Sequence, residues 1–195
     1  MSPSLLSAHN KIFGANLSTM YKLSARKPGD GALPTDSTHA LGSADCAAWL
    51  SAVDLDTAKL AFYAPCGNVP CSADALSFER DGTYLIEFKC GGAEKWQLVR
   101  KIYDGVMILS EHDGFSYAKA RESLFYIIVC ARLQPWNAMR KVLGHAEAYC
   151  SDPWDRFPRQ YDNWSLKSLE GVIARKIYTM PPDMFNAFAK ARRWR

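Results

Sequence analysis

The sequence predicts an α/β fold, a mixed central sheet flanked by helices, and three observations carry that reading. Two β-rich runs, 74–80 and 83–90, flank Asp81-Gly82, the dipeptide suited to a tight hairpin turn. From Glu94 to about Leu109 the apolar residues Trp96, Val99, Ile102, Tyr103, Val106 and Leu109 recur at intervals of three and four, as an amphipathic helix requires. Residues 123–130 then form a continuous β-branched and aromatic run, the mark of a strand buried on both faces. A right-handed crossover would make that strand a parallel neighbour of the second hairpin strand.

The remaining elements follow in chain order. Leu5 to Leu23 reads as a short amphipathic segment, and the turn formers after Arg26 make a linker, so residues 1–43 are expected to be an arm and linker. Residues 44–195 are the single domain. Ser43 to Tyr63 places Trp49, Val53, Leu60 and Tyr63 at roughly helical spacing, with Ser43 and Asp45 as caps, and predicts one or two short helices. Pro65 to Pro70 is a loop, and Gly91-Gly92 ends the second hairpin strand. Beyond the buried strand, Trp136 to Tyr149 reads as a helix and Asp152 to Asn163 as an aromatic loop. Gly171 to Thr179 reads as a strand, and Pro181 to Arg195 as a helix started by a proline pair. The fold thus carries an added C-terminal strand and helix.

A chain of 195 residues, 48% hydrophobic and 23% charged, has the apolar matter for one packed core and is not a disordered polymer. The longest apolar stretches, such as Leu124 to Ala131, fall far short of the ~20 residues of a spanning helix. The first 26 residues lack the order of a secretory signal, so the expected location is cytoplasmic, with no membrane partner. Cys66 and Cys71 are closely spaced, but no nearby Cys or His pair completes a zinc set, and reduced thiols are expected.

Charge is unevenly placed. Residues 1–88 carry 6 Lys/Arg against 9 Asp/Glu, a balance of −3, and residues 89–195 carry 18 against 11, a balance of +7. A basic second half suits a polyanion as well as it suits solubilised helix faces. The ending Lys190-Ala-Arg192-Arg193-Trp194-Arg195 joins charge to an aromatic ring, a combination that contacts phosphates and stacks on bases, or simply ends a helix favourably.

The chemistry concentrates at the hairpin. Strand alternation puts Leu85, Glu87 and Lys89 on one face and Tyr84, Ile86 and Phe88 on the other, and antiparallel pairing lets Asp74 approach the level of Glu87. Two carboxylates and an ammonium therefore meet at one end of the sheet. The bland alternative is an ion pair of Glu87 and Lys89 on a solvated face.

Asp74, twelve residues, then Glu87-Phe88-Lys89 ending an apolar strand, with a helix and a buried strand to follow, resembles the PD-(D/E)xK nuclease superfamily over about residues 45 to 132. Here Ala73-Asp74 stands where the family has Pro-Asp, and Gln97 to Tyr103 departs from the Gln-x-x-x-Tyr of its recombination exonucleases. The resemblance implies a restriction-endonuclease-like αβββαβ core. It implies that Asp74 and Glu87, with the backbone carbonyl of Phe88, bind Mg2+ or Mn2+, and that Lys89 orients or activates the attacking water. It further implies hydrolysis of phosphodiester bonds in DNA, or RNA, and the homodimers common among such nucleases. Gln97, Arg100 and Lys101, on the following helix, are the expected nucleic-acid contacts. Oxygen donors of this kind suit a hard cation, which neutralises phosphate charge and activates water near pH 7. The alternative is a catalytically inactive protein of the same fold that binds nucleic acid or a protein partner. An acidic residue from the preceding helix, Asp54 or Asp56, is either a further site acid or a helix cap.

Overall fold

A computed structural model describes residues 9, 11–25, 41, 49–89, 93–130 and 164–194. Six strands form one sheet in the order β1 to β6: β1 (Leu17–Thr19), β2 (Ser51–Asp54), β3 (Ala75–Glu79), β4 (Gly82–Lys89), β5 (Leu124–Cys130) and β6 (Lys176–Met180). The first four strands pair antiparallel, and β4, β5 and β6 pair parallel. The α/β class and the parallel pairing of the hairpin with the buried strand are therefore as expected. All seven residues of β5 are buried, because it lies between β4 and β6 with helices over both faces.

Six α-helices accompany the strands among the described residues: α1 (Lys11–Ala15), α2 (Met20–Leu23), α3 (Leu55–Tyr63), α4 (Lys95–Asp113), α5 (Tyr117–Ser123) and α6 (Pro182–Ala191). Alternation along the strands sorts the core into two layers. Leu76, Phe78, Leu85, Tyr126 and Ile128 face Leu55 and Ala58 of α3 and Leu98, Ile102, Val106 and Leu109 of α4. Tyr84, Ile86, Phe88, Phe125, Ile127 and Val129 face Phe185, Phe188 and Ala189 of α6. The long helix α4 comes closest where it has no side chain: a Cβ on Gly105 would stand 2.7 Å from Leu85 Cδ1. Among the described residues no helix is long and apolar enough to cross a membrane.

Several sequence readings change. Ser51–Asp54 is a strand, where Ser43 to Tyr63 had been expected to be helical, and α3 starts directly after it with Asp54 as cap, its carboxylate accepting from the Thr57 N–H at 2.9 Å. The expected apolar stripe was out of phase: Trp49 and Leu60 are exposed, and the buried face of α3 runs through Leu55 and Ala58. The amphipathic stretch near the N-terminus belongs to the sheet: Leu17–Thr19 pairs with Ser51–Val53, and Phe13 and Met20 are core residues. The last strand begins at Lys176 rather than Gly171, after a turn. The short helix α5, polar in composition, was not anticipated. The expected helix at 136–149, the loop at 152–163 and the Gly91-Gly92 break lie outside the described residues.

The hairpin turn is also shifted by one residue. Glu79 pairs with Gly82, so Arg80 and Asp81 are its two central residues, and neither has a left-handed backbone. Gly82 serves a different need. A Cβ there would stand 2.5 Å from both the Ser123 carbonyl oxygen and Phe125 Cε2, so only glycine lets β4 begin this close to β5. Gly82→Ala is expected to destabilise the fold by roughly 2 to 4 kcal/mol, since a backbone oxygen cannot rotate aside as a side chain does. Urea unfolding measures this, and a loss under about 0.5 kcal/mol would show that β5 can retreat freely.

Asp81 meanwhile anchors the C-terminal helix. Its carboxylate accepts from the Tyr84 hydroxyl at 2.8 Å and from the Arg192 guanidinium. Trp194 is buried against Tyr84, Phe185 and Phe188, so this ring of the basic ending is a core residue and offers no face to a base.

Candidate active site

The site lies on the face of the sheet covered by α3 and α4. Antiparallel register places Ala75 opposite Ile86, so Asp74, just before β3, reaches the level of Glu87. There its Oδ2 accepts the backbone N–H of Phe88 at 2.7 Å, which pins one oxygen and leaves the other facing the cluster. The Phe88 ring points to the opposite layer, as strand alternation demands, and packs edge-on against Phe185.

Glu87 projects into the layer that holds Leu85 and Tyr126, and its side chain is 0% exposed. A carboxylate so placed must be paired, and it is, by two ammonium groups. Lys89 Nζ lies 2.7 Å from Oε1, and Lys101 Nζ lies 2.6 Å from Oε1 and 2.8 Å from Oε2. Lys101 Nζ also stands 3.9 Å from Asp74 Oδ1. The solvated ion pair considered from sequence is not what forms. Glu87 is fully buried, and the two lysines, about a fifth to a quarter exposed, are its partners.

The electrostatics follow from this crowding. Burial, then the neighbouring Glu87 charge, pushes the Asp74 carboxyl up to about 7, against the opposing pull of Lys101, the Phe88 N–H and Lys89. For Lys101, burial works downward, and Glu87 followed by Asp74 outweighs it, so its pKa is held above the usual value. Lys59, on α3, is lowered by burial and then by the charge of Lys101, and it responds to Asp74 and Glu87 as well. Its ammonium is tied to Asp56 Oδ1 at 2.6 Å, an oxygen that also accepts from Ser72 at 2.6 Å. Of the two acids weighed on the first core helix, Asp54 is thus a cap and Asp56 a partner of Lys59.

Of the three residues expected to meet nucleic acid, only Lys101 reaches the carboxylates. Gln97 is exposed, and Arg100, 55% exposed, pairs with Asp104 at 3.3 Å, whose carboxylate also accepts the Cys71 N–H. Sequence reasoning missed Lys59 and gave Lys101 only an accessory place. The signal was present in both cases. Each lysine falls on the buried stripe of its helix, Lys59 beside Leu55 and Ala58, Lys101 between Leu98, Ile102 and Gly105. A lysine at a core-facing position has to find an anion.

Tyr126 was missed as well. It sits on β5 opposite Leu85, and its hydroxyl is buried with no hydrogen-bond partner among the described residues. Burial, then Glu87 and Asp74, pushes its pKa far above the ordinary value. Tyr126 thus adds a buried polar group to the layer that holds the two carboxylates, within the field of both.

Among the described residues no group of three or more His, Cys, Asp or Glu side chains is placed to hold a metal ion. The two carboxylates of Asp74 and Glu87 are nonetheless the hard donor set that Mg2+ uses, since it takes one or two carboxylates and completes its shell with water and phosphate. The donors therefore fit such an ion, while Cys66 and Cys71 gather no partners for zinc among the described residues. Comparison of the chain with family models, curated proteins and solved structures returns no match.

Proposed function

We propose that this chain is a metal-dependent nuclease-like hydrolase of phosphodiester bonds, DNA first and RNA second, acting through Asp74, Glu87 and Lys89. The observation that carries the reading is the convergence of Asp74 and Glu87, one buried carboxylate and one held near neutrality, with two lysines on a single point. An antiparallel β2-β3-β4 meander, then α4, then β5 parallel to β4, supports the restriction-endonuclease-like core that the motif implies.

In this reading Asp74, Glu87 and the Phe88 carbonyl would hold Mg2+ or Mn2+, which would neutralise phosphate charge and activate a water. The protein's own residues do the rest. The Phe88 N–H fixes Asp74 while leaving Oδ1 toward the cluster. Glu87, in a dry setting, fixes Lys89 Nζ at 2.7 Å, where that ammonium orients the attacking water and meets developing negative charge. A basic second half steers the polyanion to the site.

The test is cleavage of single-stranded, duplex and branched DNA and RNA with Mg2+ or Mn2+. Lys89→Met is expected to lower the rate by about 10²- to 10⁴-fold at a smaller stability cost than Lys101→Met, since Lys101 still reaches both oxygens of Glu87. Absence of cutting by folded wild type across the panel would overturn the enzyme reading. One observation favours the second reading, a silent nucleic-acid-binding domain: Glu87 already has an ammonium on each oxygen. That protein would bind oligonucleotides with a steep salt dependence and cut none.

A further inference from the structure

We propose that Lys101 is the resident counter-ion of this site, holding Glu87 in place of a divalent cation and giving way to that cation when it binds. The inference rests on the metal-dependent reading above and names how the site is kept when no cation is bound. Lys101 Nζ bridges both oxygens of Glu87, at 2.6 and 2.8 Å, and lies 3.9 Å from Asp74 Oδ1. An ion shared by these two carboxylates would take the position this ammonium now fills. Glu87 is completely buried, and Oε1 already serves Lys89 as well, so a cation reaching either oxygen meets Lys101 there. The two charges would repel strongly at such a distance, and both cannot keep Glu87.

Lys101 is built to leave. Its side chain is 21% exposed, and its long flexible stem lets the head group swing to water while the methylenes stay packed. Asp74 is built to stay, tied to the Phe88 N–H through the oxygen that Lys101 does not approach. Charge balance adds a reason for the exchange. Asp56 and Glu87, with Asp74 beside them, already face Lys59, Lys89 and Lys101, so the resting cluster carries no excess of negative charge. A divalent ion brings an excess of positive charge, and a phosphodiester restores the balance while accepting the released ammonium. Cation and substrate should then bind with positive coupling.

Mn2+ binding, followed by the electron paramagnetic resonance of the free ion, tests this in the absence of substrate. Lys101→Met keeps the stem and removes the charge, and is expected to bind Mn2+ at least about tenfold more tightly than wild type, while Glu87→Gln binds none. In wild type, the Lys101 side-chain NMR signal should move toward that of a solvent-exposed lysine as Mg2+ is added, a readout that does not depend on any variant folding. Equal or weaker Mn2+ binding by folded Lys101→Met, with binding still lost in Glu87→Gln, would overturn the exchange and leave the metal site standing. An unchanged Lys101 signal at saturating Mg2+ would overturn it too. No Mn2+ uptake by wild type or Lys101→Met would remove the metal reading itself and this inference with it.

Discussion

Asp74→Asn is expected to unfold at nearly the same urea concentration as wild type near pH 3.5, to be more stable by roughly 2 to 4 kcal/mol at pH 8, and to cut nothing at either pH. The reason is the cost of keeping a charge in this position. Burial and the Glu87 charge raise the folded carboxyl from 3.8 to about 7, so between those values the folded chain holds a proton that the unfolded chain has released. Stability contributed by this group is therefore fully present below about pH 4, falls as pH rises through the interval, and is flat above about pH 7. Asparagine carries no charge to suppress, and its carbonyl still accepts the Phe88 N–H that Asp74 now takes at 2.7 Å. Chelator-containing buffer keeps bound cations out of the comparison. A purely structural Asp74 would give the reverse result, a variant weaker at pH 8 than wild type, and that outcome would sink the account.

A double-mutant cycle on Glu87 and Lys101 should show the second large effect. Glu87→Gln and Lys101→Met are each expected to cost about 2 to 3 kcal/mol, and the double variant far less than their sum, a coupling of about 2 kcal/mol or more. Each single change strands a charge. Lys101→Met leaves a carboxylate with 0% exposure to Lys89 alone, and Glu87→Gln leaves two ammoniums facing a neutral amide. Removing both charges leaves an apolar side chain beside a neutral amide, which interiors tolerate better than half of an ion pair. Exposed pairs usually couple by less than about 1 kcal/mol, so a value in that range would mean that water reaches Glu87 in solution.

The parts of this site legible in the sequence were those governed by strand alternation. A period of two fixes which of Tyr84 to Lys89 share a face, and the antiparallel return brings Asp74 to Glu87 whichever residues form the turn. The centre of that turn was misplaced because Asp81-Gly82 is a strong turn signal, while here the glycine is required by the approach of Ser123 and Phe125, which are distant in sequence. The strand Ser51–Asp54 was hidden for a different reason. It is four residues long, only Ala52 and Val53 are buried, and a capped helix begins at its last residue, so no alternation could develop. Lys59 escaped because the helical stripe around it was read out of phase, which put the exposed Leu60 inside and a core-facing lysine outside.

The way Gly82 sits against β5 also has a meaning in time. The hairpin joins Ala75 to Ile86 across a short loop, while β4 meets β5 only by bringing Thr83 to Leu124, a closure that costs more chain entropy and comes more slowly. Asp74, Glu87, Lys89 and Lys101 are therefore all brought together by local events, since the Asp74–Phe88 and Lys101–Glu87 contacts each join residues 14 apart. The docking of α4, which brings Lys101 to Glu87 and Asp74, also closes the layer over Leu85. The charges of the site are thus gathered by the stretch of chain that closes first, before β5 completes the core.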